Sequence, residues 1–239
     1  IRQTRVFRKD TFAAVFFSSS LTDKVFNMNS YLAAQIGGIC SDPQSTVSVS
    51  SGNTILGSAT CSNNSDWQMV ISLGSFADGY VNLTAKFTDA VGNIAAPAQV
   101  RIEKRATRPV VAFSSPAAGM RLIKNSSGYF EIYGTCSADG SNVTVTTSTL
   151  SAVTAACSLN SWKAFISPNG VAEGTITFFA DLNDQWGNSA LQANRAFIVD
   201  KTAPNPVTNL THATLYNSLV QTPPFSFSAS SSNDIQSYQ

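Results

Sequence analysis

Charge is scarce in this chain. Asp, Glu, Lys and Arg make up 12% of its 239 residues, and the formal net charge is +1. That is roughly half the usual globular share. A surface so weakly charged offers no basic footprint for nucleic acid or for an anionic membrane. Histidine is scarcer still, His212 being the one in the sequence. Its place near the far end removes Ser-His-Asp and Cys-His catalysis, and most zinc sites, from the body of the protein. The longest apolar run, Phe12 to Phe17, is strand-sized, so no segment has the length of a membrane-spanning helix. The chain opens at Ile1 without a leader and stops at Gln239 inside a polar stretch, and is read as a piece of a longer protein.

What is present is a hydrophobic fraction of 43% with 10% aromatics, enough to build cores and to exclude wholesale disorder. It is arranged as a repeat. Gly38-Ile39-Cys40-Ser41 recurs as Gly134-Thr135-Cys136-Ser137, Ala59-Thr60-Cys61-Ser62 as Ala155-Ala156-Cys157-Ser158, and Trp67 as Trp162. Asp89-Ala90-Val91-Gly92-Asn93 returns as Asp184-Gln185-Trp186-Gly187-Asn188. Two copies of one domain follow from this.

Within each copy apolar residues alternate with period two. Val81, Leu83, Ala85 and Phe87 share one face, as do Ile176, Phe178, Ala180 and Leu182, which is the pattern of strands buried on one side. Each copy holds roughly seven short strands between Asn, Gly, Ser and Pro turns, the size and number of an immunoglobulin-like sandwich of two antiparallel sheets. The expected fold class is all-β, with tandem immunoglobulin-like β-sandwiches.

The joints repeat less closely. Arg8-Lys9-Asp10-Thr11 precedes the first copy, Lys104-Arg105-Ala106-Thr107-Arg108-Pro109 lies between the two, and Asp200-Lys201-Thr202-Ala203-Pro204 follows the second. The expected division is 1–9 as the last strand of a preceding domain, 10–104 and 105–201 as the two copies, and 202–239 as the start of a third, fibronectin-III- or immunoglobulin-like domain. Phe225-Ser226-Phe227-Ser228-Ala229 alternates like a strand within that tail, which is too short to bury a core alone.

The four cysteines, spaced alike in the two copies, are best read as disulfides pairing Cys40 with Cys61 and Cys136 with Cys157, and this implies an oxidising compartment, extracellular or at the cell surface. The pairing differs from that of antibody domains, whose bridge is longer and crosses the two sheets. Trp67 and Trp162 are in phase with apolar neighbours and are expected in the cores. Trp186 replaces Val91 in a turn, where it can fold back on its own sheet, anchor an interface or stack on a sugar; Tyr80 and Tyr129 are the other candidate ligand contacts.

Asp-x-x-Gly-Asn explains itself as a turn in which Asp accepts backbone N–H groups and Gly takes a positive φ. The assigned topology brings Asp89 and Asn93 towards Asp10, a candidate calcium site at the first joint. At the second joint Lys104, Arg105 and Arg108 are expected to form a salt bridge with Asp184 in place of any metal. Tandem Cys-bearing domains with Asp-x-x-Gly-Asn before the final strand and an Asp-Lys-Thr-Ala-Pro linker resemble the bacterial immunoglobulin-like repeats of large surface proteins and adhesins. The resemblance covers residues 14 to 204, except that the basic joint departs from the acidic pattern such families show. It implies a stalk or fibre that presents a binding surface to a glycan or protein receptor, with neighbouring domains of the same chain as its first partners.

Three rivals remain at this level. Catalysis lacks a sequence-positioned acid–base pair among the fourteen acidic residues. A carbohydrate-binding module array would use Trp186, Tyr80 and Tyr129. A homo-oligomeric filament would form by strand exchange between the incomplete ends.

Overall fold

A computed structural model describes residues 9–202, together with the backbones of two strands, Thr208–His212 and Phe225–Ser228. The expected final strand of a preceding domain falls mostly outside the described residues, and so does most of 202–239.

The first copy has eight strands: β1 (Val15–Phe17), β2 (Val25–Asn27), β3 (Ala34–Cys40), β4 (Thr46–Ser51), β5 (Thr54–Thr60), β6 (Asp66–Ile71), β7 (Gly79–Phe87) and β8 (Ala98–Arg105). They form a five-stranded sheet, β2-β8-β7-β4-β5, facing a three-stranded one, β1-β3-β6. The second copy repeats this with β9 (Val111–Ser115), β10 (Arg121–Leu122), β11 (Phe130–Cys136), β12 (Asn142–Thr146), β13 (Val153–Ala156), β14 (Ser161–Ile166), β15 (Gly174–Leu182) and β16 (Ala193–Val199). Its sheets run β10-β16-β15-β12-β13 and β14-β11-β9. Beyond them β17 (Thr208–His212) pairs antiparallel with β18 (Phe225–Ser228), a strand where the alternation of 225–229 calls for one.

The chain is all-β, two immunoglobulin-like sandwiches in tandem, each with its own core. Eight strands replace the expected seven because the opening strand is split. β1 pairs antiparallel with β3, and the chain then crosses to the other sheet, where β2 runs parallel to β8. Buried Leu21 holds the crossing, and β9 and β10 divide the same way. The alternation translates directly into burial. Val81, Leu83, Ala85 and Phe87 of β7 point inward, as do Trp162, Ala164 and Ile166 of β14.

Cys40 is bonded to Cys61 and Cys136 to Cys157, with Cα atoms 6.0 Å apart in both pairs. Cys40 ends β3 in the three-stranded sheet, and Cys61 directly follows β5 in the five-stranded one. The bridge therefore does join the two sheets, as an antibody bridge does, although it uses the chain after β5. The contrast drawn from loop length is corrected here, because the end of the central strand β3 and the end of the edge strand β5 meet at one end of the sandwich and need little intervening chain.

Beside each bridge sits a tryptophan. Trp67 meets Phe17 edge-on at 5.4 Å and donates its indole N–H to the Phe16 carbonyl at 3.2 Å; Trp162 meets Phe113 at 5.4 Å and donates to Thr135 at 3.1 Å. Each tryptophan lies opposite the glycine two residues before the first cysteine, Gly38 or Gly134. A β-carbon on Gly134 would collide with the Trp162 ring and the Ala112 carbonyl oxygen, and one on Gly38 with the Phe16 carbonyl. The Gly-x-Cys motif is thus a packing requirement.

Two outcomes follow. Gly134→Ala should cost about 2–3 kcal/mol in urea unfolding by overpacking, whereas Gly57→Ala, whose β-carbon would meet only the Met69 sulfur at 3.5 Å, should stay within about 1 kcal/mol of the parent; equal effects would remove the Trp–Gly contact as a constraint. Reduction of the disulfides should lower the stability of each sandwich by about 3 kcal/mol, and an unchanged melt with four titratable thiols in the native protein would contradict the bridges.

Candidate functional site: the joint between the sandwiches

The loop from Asp184 to Asn188 joins β15 to β16. Asp184 Oδ1 accepts the backbone N–H groups of Trp186 at 2.9 Å and Asn188 at 2.8 Å, and its Oδ2 accepts the Asn188 side-chain amide at 2.7 Å. Gly187, at φ +81°, takes the left-handed conformation that closes the turn. The motif thereby holds the amide of Asn188 in one orientation.

That amide reaches the other sandwich. Asn188 is 1% exposed; its Oδ1 accepts the Met28 backbone N–H at 2.7 Å, and its Nδ2 donates to the Arg105 carbonyl at 2.9 Å. Asn27 returns a bond from its side-chain amide to the Trp186 carbonyl at 2.8 Å. The Arg105 guanidinium lies 4.9 Å from the Trp186 ring, a cation–π contact. From the linker, Arg108 donates to the Ser189 carbonyl at 2.9 Å. The Asp78 carboxylate anchors the linker's other end by accepting the backbone N–H groups of Ala106 at 3.0 Å and Thr107 at 2.8 Å. Burial opposes the charged form of Asp78, but these bonds and nearby Lys104 outweigh it and lower its pKa.

The expected salt bridge to Asp184 does not form. β8 runs through Arg105, so Lys104 belongs to the first sandwich, where its amine donates to the Phe76 carbonyl at 2.6 Å and lies over the Tyr31 ring. Arg105 pairs with Glu103 at 2.8 Å and stacks on Trp186. Asp184 already has N–H donors on both oxygens. Trp186 is an interface anchor within the chain.

The first loop has the same internal geometry. Asp89 Oδ1 accepts the N–H groups of Val91 at 3.0 Å and Asn93 at 2.7 Å, and Oδ2 accepts the Asn93 amide at 2.6 Å. Desolvation works against the Asp89 carboxylate, yet these donors hold its pKa below the usual value. Asp10 accepts the Phe12 N–H at 3.1 Å across its own turn. Asp10 and Asp89 are each bonded within their own turns, and no hydrogen bond brings the two together among the described residues. Among the described residues no group of three or more His, Cys, Asp or Glu could hold a metal.

The three aromatic candidates lie on different elements. Tyr80, on β7, stacks under Arg101 at 4.3 Å, and Arg101 pairs with Asp23 at 2.7 Å. Tyr129 precedes β11 at the end of the second sandwich opposite the Trp186 loop, its N–H given to the Asn125 side chain at 3.0 Å. Tyr129 therefore lies apart from Trp186, whereas Tyr80 pairs across the strands with Glu103, which accepts from Arg105 beneath Trp186. A cluster that sequence reading missed occupies the outer face of β11 and β14: Glu131 accepts from Tyr133, from Asn125 at 2.7 Å and from Lys163 at 3.0 Å, and the Lys163 amine lies 4.6 Å from the Phe165 ring. Only the i, i+2 spacing of Glu131 and Tyr133 hints at it.

No family model matches the chain, and no curated protein matches it in sequence. Solved structures do. A bacterial ice-binding adhesin of 1.5 MDa, studied for host cell surface retention, is 16% identical, with a TM-score of 0.45 over 81% of this chain and 66% of that one. A Ca²⁺-stabilised adhesin that helps an Antarctic bacterium bind ice is 17% identical, with a TM-score of 0.48 over 84% of this chain and 54% of that one. The fibronectin(III)-like modules of Clostridium thermocellum CbhA are 16% identical, with a TM-score of 0.41 over 78% and 94%. At such scores the likeness carries no argument about what this chain does, and the class rests on its own sheets: a tandem array of immunoglobulin-like sandwiches with a hydrogen-bonded joint.

The Glu131 cluster is testable by acid. Its hydroxyl, amide and ammonium donors, led by Tyr133, bring the carboxyl from 4.5 down to about 2. A depressed folded-state pKa means the stabilisation is complete above 4.5 and is lost as pH falls from there towards 2. Glu131→Gln should flatten that part of the stability–pH curve, and an unaltered slope would show that the cluster does not couple to folding.

Proposed function

We propose that this chain is a structural and adhesive segment of a bacterial cell-surface or secreted protein, a disulfide-stabilised stalk that holds a binding surface away from its anchorage. Its two repeating units are residues 10–105 and 106–201, the expected break after Lys104 moving by one residue because β8 runs through Arg105. The observation that carries the reading is the joint. A sandwich tethered only by a flexible linker can reorient freely, whereas here a buried asparagine joins two main-chain groups of the preceding sandwich and a cation–π pair closes one side. The linker is bonded to both sandwiches. One disulfide in each sandwich supports an extracellular setting, where such bonds persist.

In this reading the chemistry is mechanical rather than catalytic. Each joint contact uses a backbone carbonyl or N–H, or a stacked ring, so stiffness comes from geometry that solution ions do not set. Against the carbohydrate-array alternative stands the place of Tyr129, at the other end of its sandwich from the Trp186 loop.

Residual dipolar couplings measured on the whole chain test the proposal. The two sandwiches should share one alignment tensor, with or without a chelator, and Asn188→Ala should split it into two while leaving each sandwich folded. Two independent tensors in the unaltered protein would defeat the stalk reading.

A further inference from the structure

Among the described residues the first sandwich has no sandwich ahead of it to match the one ahead of the second. Registered strand by strand, Arg108 of the second sandwich corresponds to Phe12 of the first, since Val111 faces Cys136 as Val15 faces Cys40. Within the matching loops Trp186 corresponds to Val91, Asn188 to Asn93 and Ser189 to Ile94. Trp186 and Asn188 contact the first sandwich directly, and Arg108 from the linker bonds to Ser189 beside them. Their first-sandwich equivalents include three large apolar side chains, Phe12 at 68%, Val91 at 67% and Ile94 at 81% exposed. Asn93 is oriented by Asp89 as Asn188 is by Asp184, yet its Oδ1 accepts nothing among the described residues.

We propose that Phe12, Val91, Asn93 and Ile94 form a docking face for the far end of another sandwich of this build, placed before the first one in the chain. The inference rests on the stalk reading and extends it by a joint. The second sandwich shows what covers such a face: the turn after β2 and the last residue of β8. Asn93 bridges the main-chain N–H and C=O groups found there. The partner's chemistry differs from that at the known joint, because a valine cannot hold a guanidinium by cation–π attraction. It presents apolar surface or an aliphatic stem to Val91 and Ile94. The sequence ahead of Phe12 repeats the residue pattern of β8. Arg5-Val6-Phe7-Arg8-Lys9 lies as far before Phe12 as Arg101-Ile102-Glu103-Lys104-Arg105 lies before Arg108, with basic and apolar residues in the same order except at Phe7. Lys9 then stands where Arg105 does, its carbonyl available to Asn93 and its stem to Val91.

The test places a further copy of residues 10–104 directly ahead of Lys9, so that Lys9 ends the added last strand. Alignment tensors are then measured for all three sandwiches in one sample. The added sandwich should share the tensor of the first, and the added copy's Met28 amide should exchange at least tenfold more slowly than in an Asn93→Ala variant. Asn93→Ala should free the added sandwich and leave the Asn188-held pair coupled. Val91→Lys together with Ile94→Lys, both at exposed positions that folding tolerates, should do the same. An added sandwich that reorients freely while the original pair stays coupled overturns the docking face and leaves the stalk reading standing. Loss of coupling in the original pair as well overturns both.

Discussion

The Asn188 side chain is the contact on which the arrangement of the two sandwiches depends. A primary amide carries an acceptor and two donors, and here the acceptor takes a main-chain N–H from one strand end while the donors serve Arg105 and Asp184. Because the group is almost fully buried, each bond left unmade would expose a polar atom to an environment without water. The geometry is therefore sharply defined. Asp184 and Gly187 exist to present that amide, the aspartate by gathering the turn's N–H groups and the glycine by adopting a backbone that other residues resist.

The same economy governs the interior of each sandwich. A bridge ties the end of β3 to the chain leaving β5, and the adjacent tryptophan stacks across β1 or β9. The glycine opposite it is small because a neighbouring strand's carbonyl, joined at Gly134 by the Trp162 ring, occupies the space where a side chain would go. Disulfide, indole and glycine form one packing unit, repeated in both copies, and it pins the short three-stranded sheet to the larger one. The joint and the cores are thus built from different motifs, which explains why the two recur together but serve different ends.

Much of this was legible beforehand. The repeat, the period-two alternation of Val81 to Phe87 and the equal cysteine spacing are local signals, and the strands and bridges lie where these signals put them. The split opening strand was not legible, since β1 and β2 differ in pairing partner rather than in composition. Nor was the partner of Lys104. A basic run beside an acidic loop reads as a salt bridge, yet β8 turns that amine towards the Phe76 carbonyl, and the aspartate has already been used by its own turn.

By itself the sequence determined what is periodic or local: an all-β chain, two copies, four paired cysteines, and turns that need Asp, Gly and Asn at set positions. Tertiary structure alone decided which of those turns meets another sandwich, and so made Asn188 a joint residue and Trp186 a stacking partner of Arg105. The physical reason is that a turn's shape follows from neighbouring residues in the chain, whereas its partner is set by where two separately folded sheets bring their ends.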